Sequence, residues 1–375
     1  MTTPGTGRNA FPSRVERGMH VSSELGVAVV GLGRFGSKRI QALGTDGRAR
    51  LCIVADVLAD RSQSVGQELG CAHTEDWERA VTWPGVQIVI VSTPTQALSQ
   101  IAAAAVETGR HVLVEKPFGR DADEVWPIVA AAEQKRVCLK VGYNHRYHPA
   151  LAKAHSLLEV GAIGKLHFLR CVYGHGGRSG YEQEWRTQPQ SAGGGQLLDQ
   201  GVHALDLFRW FAGSFTQVKA CATTAFWPIA PLEDNIFALL HAANGSVASL
   251  HASWTQWKPA FLFEVSGEEG SLSVQGLGGT YGPERLCWGR RGELGSRPEE
   301  EWCEFEGPDE SLHDEWADFL DCVLKGRQPP CSGRDGWQTL VLADAIYRSA
   351  REQGVTVPTI GDEQVCGAKA HHSGE

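Results

Sequence analysis

The first thirty-odd residues after Glu24 constrain the fold more than any other stretch. Leu25 to Val30 reads LGVAVV, an apolar run the length of a buried strand. G-L-G-R-F-G follows at once, then a helix-compatible stretch carrying Ile40 and Leu43. A second apolar run, LCIVA, ends at Asp56, twenty residues past Gly36. Strand, glycine fingerprint, helix, strand and spaced acid form the full context of dinucleotide binding. Gly31 permits the turn, Gly33 lets a pyrophosphate approach the backbone, and Gly36 lets the helix pack on the strand. The helix N-terminus then offers free N–H groups to the phosphates. A carboxylate at Asp56 accepts hydrogen bonds from a ribose diol and repels a 2′-phosphate. No Arg or Lys stands beside it until Arg61, so NAD is expected over NADP unless Arg61 folds back. The competing reading is a glycine-rich turn in an unrelated α/β domain.

The rhythm that follows favours the first reading. Strands are expected at Val86–Val91, His111–Val114 and Val137–Val141, with helices at Gln96–Thr108 and Asp121–Lys135. Such alternation predicts an α/β fold with a doubly wound parallel sheet, whose ligands sit at the carboxyl ends of its strands. Ser92, Thr93 and Pro94 lie at one such end, and Glu115, Lys116 and Pro117 at the next. After Pro149 the alternation stops. A helix over 150–160 and a strand over 166–173 precede a Gly-rich segment, 174–195. Extended stretches follow at 218–224, 235–242, 246–254, 261–267 and 271–274. Several alternate, as Val247, Ser249 and His251 do against Ala248, Leu250 and Ala252. They predict a large, open, mainly antiparallel sheet in a second α+β domain. Residues 276–307 read as hairpins and loops, and 312–324 and 336–353 as amphipathic helices.

The chain therefore divides into an arm over 1–24, a dinucleotide-binding domain over 25–145, a second domain over 146–360 and a tail over 361–375. The last helix is placed to pack back on the first domain. One face of the open sheet is free for a partner subunit, with Trp254 and Trp257 suited to burial there. An aromatic-rich sheet edge in a monomer is the alternative.

Within the second domain lies GGGQLLDQGVHALDLFRWFAG, from Gly193 to Gly213. Its three opening glycines suit a tight loop where backbone passes close to something. Leu198, Val202, Leu205 and Phe208 then recur at helical spacing. Asp199 and His203, four apart, share another face, and Asp206 is within reach of the same imidazole. Two carboxylates and an imidazole on one stripe suggest a site, although such a pair is also common on a solvated helix face.

The formal net charge of −9 and the lack of a long basic run argue against nucleic acid or an anionic membrane surface as partners. No apolar run has membrane-spanning length, and residues 1–24 lack the apolar middle of a signal peptide. The ten cysteines are scattered without a C-x-x-C pair, so reduced thiols, a cytoplasmic location and no metal site are expected.

The motifs GLGRFG, STP, EKPFG, GYNHRYHP, EWR and GGGQLLDQGVHALD, in this order, resemble the glucose–fructose oxidoreductase, inositol dehydrogenase and MocA (Gfo/Idh/MocA) family of nicotinamide-dependent dehydrogenases. The resemblance runs from about Leu25 to about Val357. It implies that Lys116, Asp199 and His203 are catalytic and meet beside the nicotinamide. Asn144, Arg146, Trp185 and Arg186 would line or support the substrate pocket, with Asp199 and His203. The cofactor would be held by Gly31, Gly33, Arg34, Phe35, Gly36, Asp56, Ser92, Thr93, Pro94, Glu115 and Lys116. The resemblance also implies a cis Lys116–Pro117 bond and a homo-oligomer. Thr95 and Leu98 stand where the family often has Asn and His. His145, His175 and Tyr181 are candidates for substrate-specific lining, two of the three being expected as solvated or structural.

The chemistry expected is oxidation of a secondary hydroxyl, or reduction of the ketone, on a small sugar, cyclitol or amino sugar. His203 would act as base, Lys116 as fixed positive charge and Asp199 as positioner. The alternatives are a dihydrodiol or imine reductase on the same scaffold, and a non-catalytic nucleotide-binding sensor.

Overall fold

A computed structural model describes residues 24–44, 46–293, 295–353 and 356–358. The expected tail, and the arm apart from Glu24, lie outside the described residues. The first sheet is built from β1 (Leu25–Val30), β2 (Ala49–Ala55), β3 (Ala72–Thr74), β4 (Val86–Val91), β5 (His111–Val114) and β6 (Leu139–Val141). Its order is β3-β2-β1-β4-β5-β6, and every pairing is parallel. The apolar strands are buried on both faces because helices cover both sides. β1 sits at the centre, with Val30 opposite Ala55 and Val91, so the loop after it opens where the strand order reverses.

Helices α1 (Arg34–Leu43), α2 (Ala59–Leu69), α3 (Trp77–Val81), α4 (Thr95–Glu107) and α5 (Ala122–Lys135) connect these strands. Asp76 caps α3 and Asp121 caps α5 with their side chains, each satisfying free N–H groups of the first turn. The sequence pattern predicts no element over 59–81. In α2 only Ser62 and Gly66 are buried, so no apolar stripe announces it.

The second sheet comprises β7 (Leu166–Gly174), β8 (Phe215–Thr223), β9 (Asn235–Ala242), β10 (Val247–Ser253), β11 (Ala260–Gly267), β12 (Gly270–Gln275), β13 (Glu284–Arg290), β14 (Glu299–Phe305) and β15 (Val357–Pro358). Its order is β14-β13-β12-β11-β7-β10-β9-β8-β15, antiparallel except where β10 runs parallel to β7. Alternation sets its two faces. Ala248, Leu250 and Ala252 point into the core, while Phe237 and Leu239 on β9 stand half exposed on the other face. The expected hairpins over 276–307 resolve into the paired strands β13 and β14. Trp254 departs from expectation. It is fully buried within the chain, 5.2 Å from the Tyr181 ring, whereas Trp257 is fully exposed.

Helices α6 (Pro149–Glu159), α7 (Pro189–Ala192), α8 (Val202–Ala212), α9 (Ser311–Lys325) and α10 (Gly333–Arg351) complete the fold. α9 packs back on α1, and α10 touches α5 and β6 as well as α8 and β8. A Ser332–Asp335 capping box starts α10, and the Trp337 ring lies tilted against Trp126 of α5, centroids 4.6 Å apart. Among the described residues no helix is long and apolar enough to cross a membrane.

Candidate active site

A cleft of about 1180 Å³ runs from the end of β1 to the N-terminal part of the Gly193–Gly213 stretch. At its nucleotide end, the three fingerprint glycines have three separate physical reasons. Gly31 has φ +89°, and a Cβ there would lie 2.6 Å from the Ser92 carbonyl oxygen. A Cβ on Gly36 would lie 1.9 Å from the Gly31 oxygen, so α1 could not pack on the loop. Gly33 has nothing within 4 Å of a Cβ and faces the cleft, so no protein atom demands glycine there. A ligand backbone approach accounts for it, which fits a dinucleotide. α1 has no side-chain cap at Gly33 and no acid in its first turn, leaving its N–H groups for phosphate.

Arg34 and Phe35 line this end, both exposed. The Asp56 carboxylate accepts from Leu32 N–H at 2.8 Å and Leu58 N–H at 3.0 Å. Arg61 does fold back, its Nη1 lying 3.2 Å from Asp56 Oδ2, but it is there paired with the carboxylate and leaves Asp56 to face a ribose diol. At the end of β4, Pro94 lines the cleft and the buried Ser92 Oγ and Thr93 Oγ1 have no protein partner. Thr95 and Leu98 are buried beside them. Glu115 lines the cleft, but its carboxylate is taken by buried Arg39 at 2.7 Å, which also holds Glu315. Glu115 thus braces the loop instead of offering a free acceptor.

The other end brings Lys116, from the loop after β5, to Asp199 and His203 of the Gly193–Gly213 stretch. The Lys116–Pro117 bond is cis, as expected. Lys116 Nζ donates to the Asp199 backbone carbonyl. The Asp199 side chain accepts from Arg186 Nη1 at 3.0 Å, and Arg186 Nε also reaches Glu184 at 2.9 Å. Asp199 lies within a π-helical turn, Leu197–Gly201, that runs directly into α8, where His203 is the second residue. Such widened turns recur at functional sites. The glycine loop before it is packed hard, as expected. A Cβ on Gly194 would meet the Tyr347 hydroxyl at 2.3 Å, and one on Gly195 the Glu233 carbonyl at 2.1 Å.

One expectation fails here. Asp206 does not reach the imidazole; it is fully buried and paired with Arg146 through two bonds, at 2.8 and 2.5 Å. α8 is buried on nearly every side, so no solvated polar stripe exists, and the second acid needed a partner of its own. Arg146 accordingly supports the site from behind. Asn144 lines the cleft and donates to Ser311 Oγ at 2.7 Å, and Trp185 lines the mouth, 40% exposed. His145, His175 and Tyr181 all line the cleft, and Tyr181 is also buried, its ring edge-on to Trp254. The sequence reading missed Gln200 and Tyr281, which hydrogen-bond across the cleft wall, and Tyr173 beside them. Gln200 adjoins Asp199 and could have been found from that. Tyr281 sits in a stretch read as loop, without a signal.

Two family models match the chain: "Oxidoreductase family, NAD-binding Rossmann fold" over residues 25–143 and "GFO/IDH/MocA C-terminal domain" over residues 151–273. The chain belongs to the Gfo/Idh/MocA family. This Gfo/Idh/MocA member is therefore an NAD-dependent oxidoreductase acting on CH–OH groups, with a small-molecule substrate. Levoglucosan dehydrogenase of Pseudarthrobacter phenanthrenivorans is 27% identical, aligned over 82% of this chain and 90% of that protein. A levoglucosan dehydrogenase structure with NADH and L-sorbose superposes with a TM-score of 0.83 at 24% identity, covering 90% of this chain and 99% of the other. GenD2 from gentamicin A biosynthesis, in complex with NAD, is 28% identical with a TM-score of 0.78, covering 93% and 100%.

Electrostatics in this Gfo/Idh/MocA site follow from burial. Burial pushes the Lys116 ammonium below the ordinary lysine value, against the opposing pull of Asp199 and Glu115. Burial also pushes the Asp199 carboxyl up, but Lys116 and Arg186 outweigh it and hold it below the usual range. Burial, then neighbouring His145 and Lys116, drive the His203 imidazole well below its ordinary value. The site thus presents a neutral imidazole and an ionised carboxylate, with the Lys116 amine beside them and Arg186 paired to the carboxylate.

Proposed function

We propose that this enzyme oxidises a secondary hydroxyl of a sugar, cyclitol or amino sugar, or reduces the corresponding ketone. The observation that carries the reading is the convergence of Lys116, Asp199 and His203 at the far end of a cleft that begins at the glycine fingerprint. Bound NAD supplies the hydride acceptor. Gly31, Gly33 and the N-terminus of α1 would hold its pyrophosphate, with Gly36 letting α1 close on that loop; Asp56 would take its adenosine ribose, and Arg34, Phe35, Ser92, Thr93 and Pro94 would flank it. His203, kept neutral, takes the hydroxyl proton. The Nζ of Lys116 stabilises the alkoxide that develops, from a fixed place beside Asp199. Asp199, held by Arg186, binds a neighbouring hydroxyl and selects the carbon presented. Asn144, Trp185 and Arg186 complete the pocket.

The relatives' names, levoglucosan dehydrogenase and myo-inositol 2-dehydrogenase among them, support polyhydroxylated substrates, and GenD2 supports including amino sugars. They lend nothing to a dihydrodiol or imine reductase or to a non-catalytic sensor. The half-exposed Phe168, Phe237 and Leu239 on the second sheet support a homo-oligomer built through that face. A panel of sugars, cyclitols and amino sugars, followed by NADH formation, tests the reaction. No turnover on any polyol while NAD binds would overturn it.

A further inference from the structure

The orientation of the His203 ring needs a cause. An imidazole acting as base is ordinarily oriented by a hydrogen bond on its second nitrogen. Here Nδ1 of His203 is buried without a partner. The carboxylates of its own helical stretch are both engaged, Asp206 by Arg146 and Asp199 by Arg186. What lies on the ring is another imidazole. His145 stacks on His203 with centroids 3.7 Å apart and planes at 14°. Tyr143 meets the ring edge-on at 5.9 Å, and Lys116, His148 and Arg39 are the other charged or titratable groups acting on it.

His145 is itself held in place. It is 5% exposed, with Nε2 3.1 Å from the Tyr173 hydroxyl on β7 and Nδ1 3.4 Å from Asn144 Oδ1. Its chain neighbour Arg146 grips Asp206, three residues along α8 from His203. The turn Asn144–Tyr147 is therefore clamped to α8 by an ion pair and by the stack. His148, edge-on to His145 at 5.6 Å, is tied to Glu284 at 3.0 Å and does not compete for the stacked face.

We propose that His145 is a positioning residue for this reaction: its ring, anchored by Tyr173, sets the plane of the His203 imidazole in place of a hydrogen bond to Nδ1. The proposal rests on His203 being the base. A stacked second imidazole also shields His203 from water and disfavours a positive charge beside it, so the base stays unprotonated further into acid.

Histidine ring NMR of the cofactor-free protein tests this without a substrate. In His145→Ala the His203 resonance is expected to titrate at higher pH than in the wild type, and in His145→Phe, which keeps a flat ring on His203, to stay closer to it. With the best substrate of the polyol panel, His145→Ala is expected to lose about 10- to 100-fold in kcat, since small misplacements of a reacting group are this costly. KM and NADH affinity change little, the acid limb of the rate profile moves up in pH, and His145→Phe recovers most of kcat. Unchanged His203 titration and wild-type kcat in His145→Ala overturn the proposal; equal losses in Ala and Phe variants overturn the stack as its basis. If His145→Ala does not fold, His145→Asn decides, because it keeps a polar group for Tyr173 without the ring. It must show the kcat loss and the shifted titration, and wild-type behaviour overturns the proposal. Wild-type turnover in His203→Ala is a separate failure, that of the base itself.

Discussion

Arg146 holds both oxygens of the Asp206 carboxylate inside the protein, at 2.8 and 2.5 Å, with Asp206 fully buried. The pair locks the turn that follows the first sheet to the helix carrying His203. Asp206→Ala strands a buried guanidinium, for which Asp335 at 3.8 Å is a poor replacement. The expected cost is about 3–5 kcal/mol, read as a large fall in Tm. A variant of normal Tm that had lost only turnover would instead return Asp206 to the chemistry.

His203→Ala is expected to lower turnover by about 10²–10⁴-fold while NADH affinity stays near wild type and Tm falls modestly, since a buried, stacked ring is removed. Burial lowers the imidazole's affinity for protons, so acidification protonates it later than an ordinary histidine. The wild-type rate should therefore hold until below the usual imidazole range and then fall. In His203→Ala that acid limb flattens, whereas Lys116→Ala lowers the rate at every pH. Stopped-flow rates against pH distinguish the three proteins.

Asp199→Asn keeps the shape and removes the charge that Arg186 faces. We expect a raised KM, a smaller effect on kcat, and oxidation spread over neighbouring hydroxyls. Product analysis by NMR with a vicinal triol checks this. Unchanged KM with unchanged regiochemistry would remove Asp199 from substrate positioning.

Asp56 is held by two backbone N–H groups and by Arg61. Asp56→Ser should weaken NAD binding and, with Arg61 released, improve NADP binding. Fluorescence titration with NADH and NADPH measures both. The lost hydrogen bonds should cost about 1 kcal/mol each in stability.

Two alanine substitutions in the fingerprint should separate by mechanism. Gly33→Ala has room in the protein and should leave Tm unchanged while weakening NADH binding. Gly36→Ala drives a Cβ to 1.9 Å from the Gly31 oxygen and should lower Tm directly. Calorimetry beside cofactor titration resolves the pair, and equal Tm losses would place the Gly33 constraint within the protein.

The chain's own patterning determined the parallel sheet, the glycine loop, Asp56 and the strand ends carrying Ser92 and Lys116. These follow from local periodicity and from turns that only glycine or proline serve, and both are written in consecutive residues. The meeting of Lys116 with Asp199 was legible through motif resemblance, since 83 residues separate them. Tertiary structure alone decided which acid serves which partner. Asp199 and Asp206 are equivalent by helical spacing around His203, yet Arg186 meets one in the cleft and Arg146 meets the other in the core. The same holds for Glu115, claimed by Arg39, and for His145, whose stack on His203 joins the turn after β6 to α8. A buried charge must find a counter-charge, and a buried ring a flat neighbour; which one it finds depends on how the two sheets bring α8 against the turn after β6, and no local pattern encodes that.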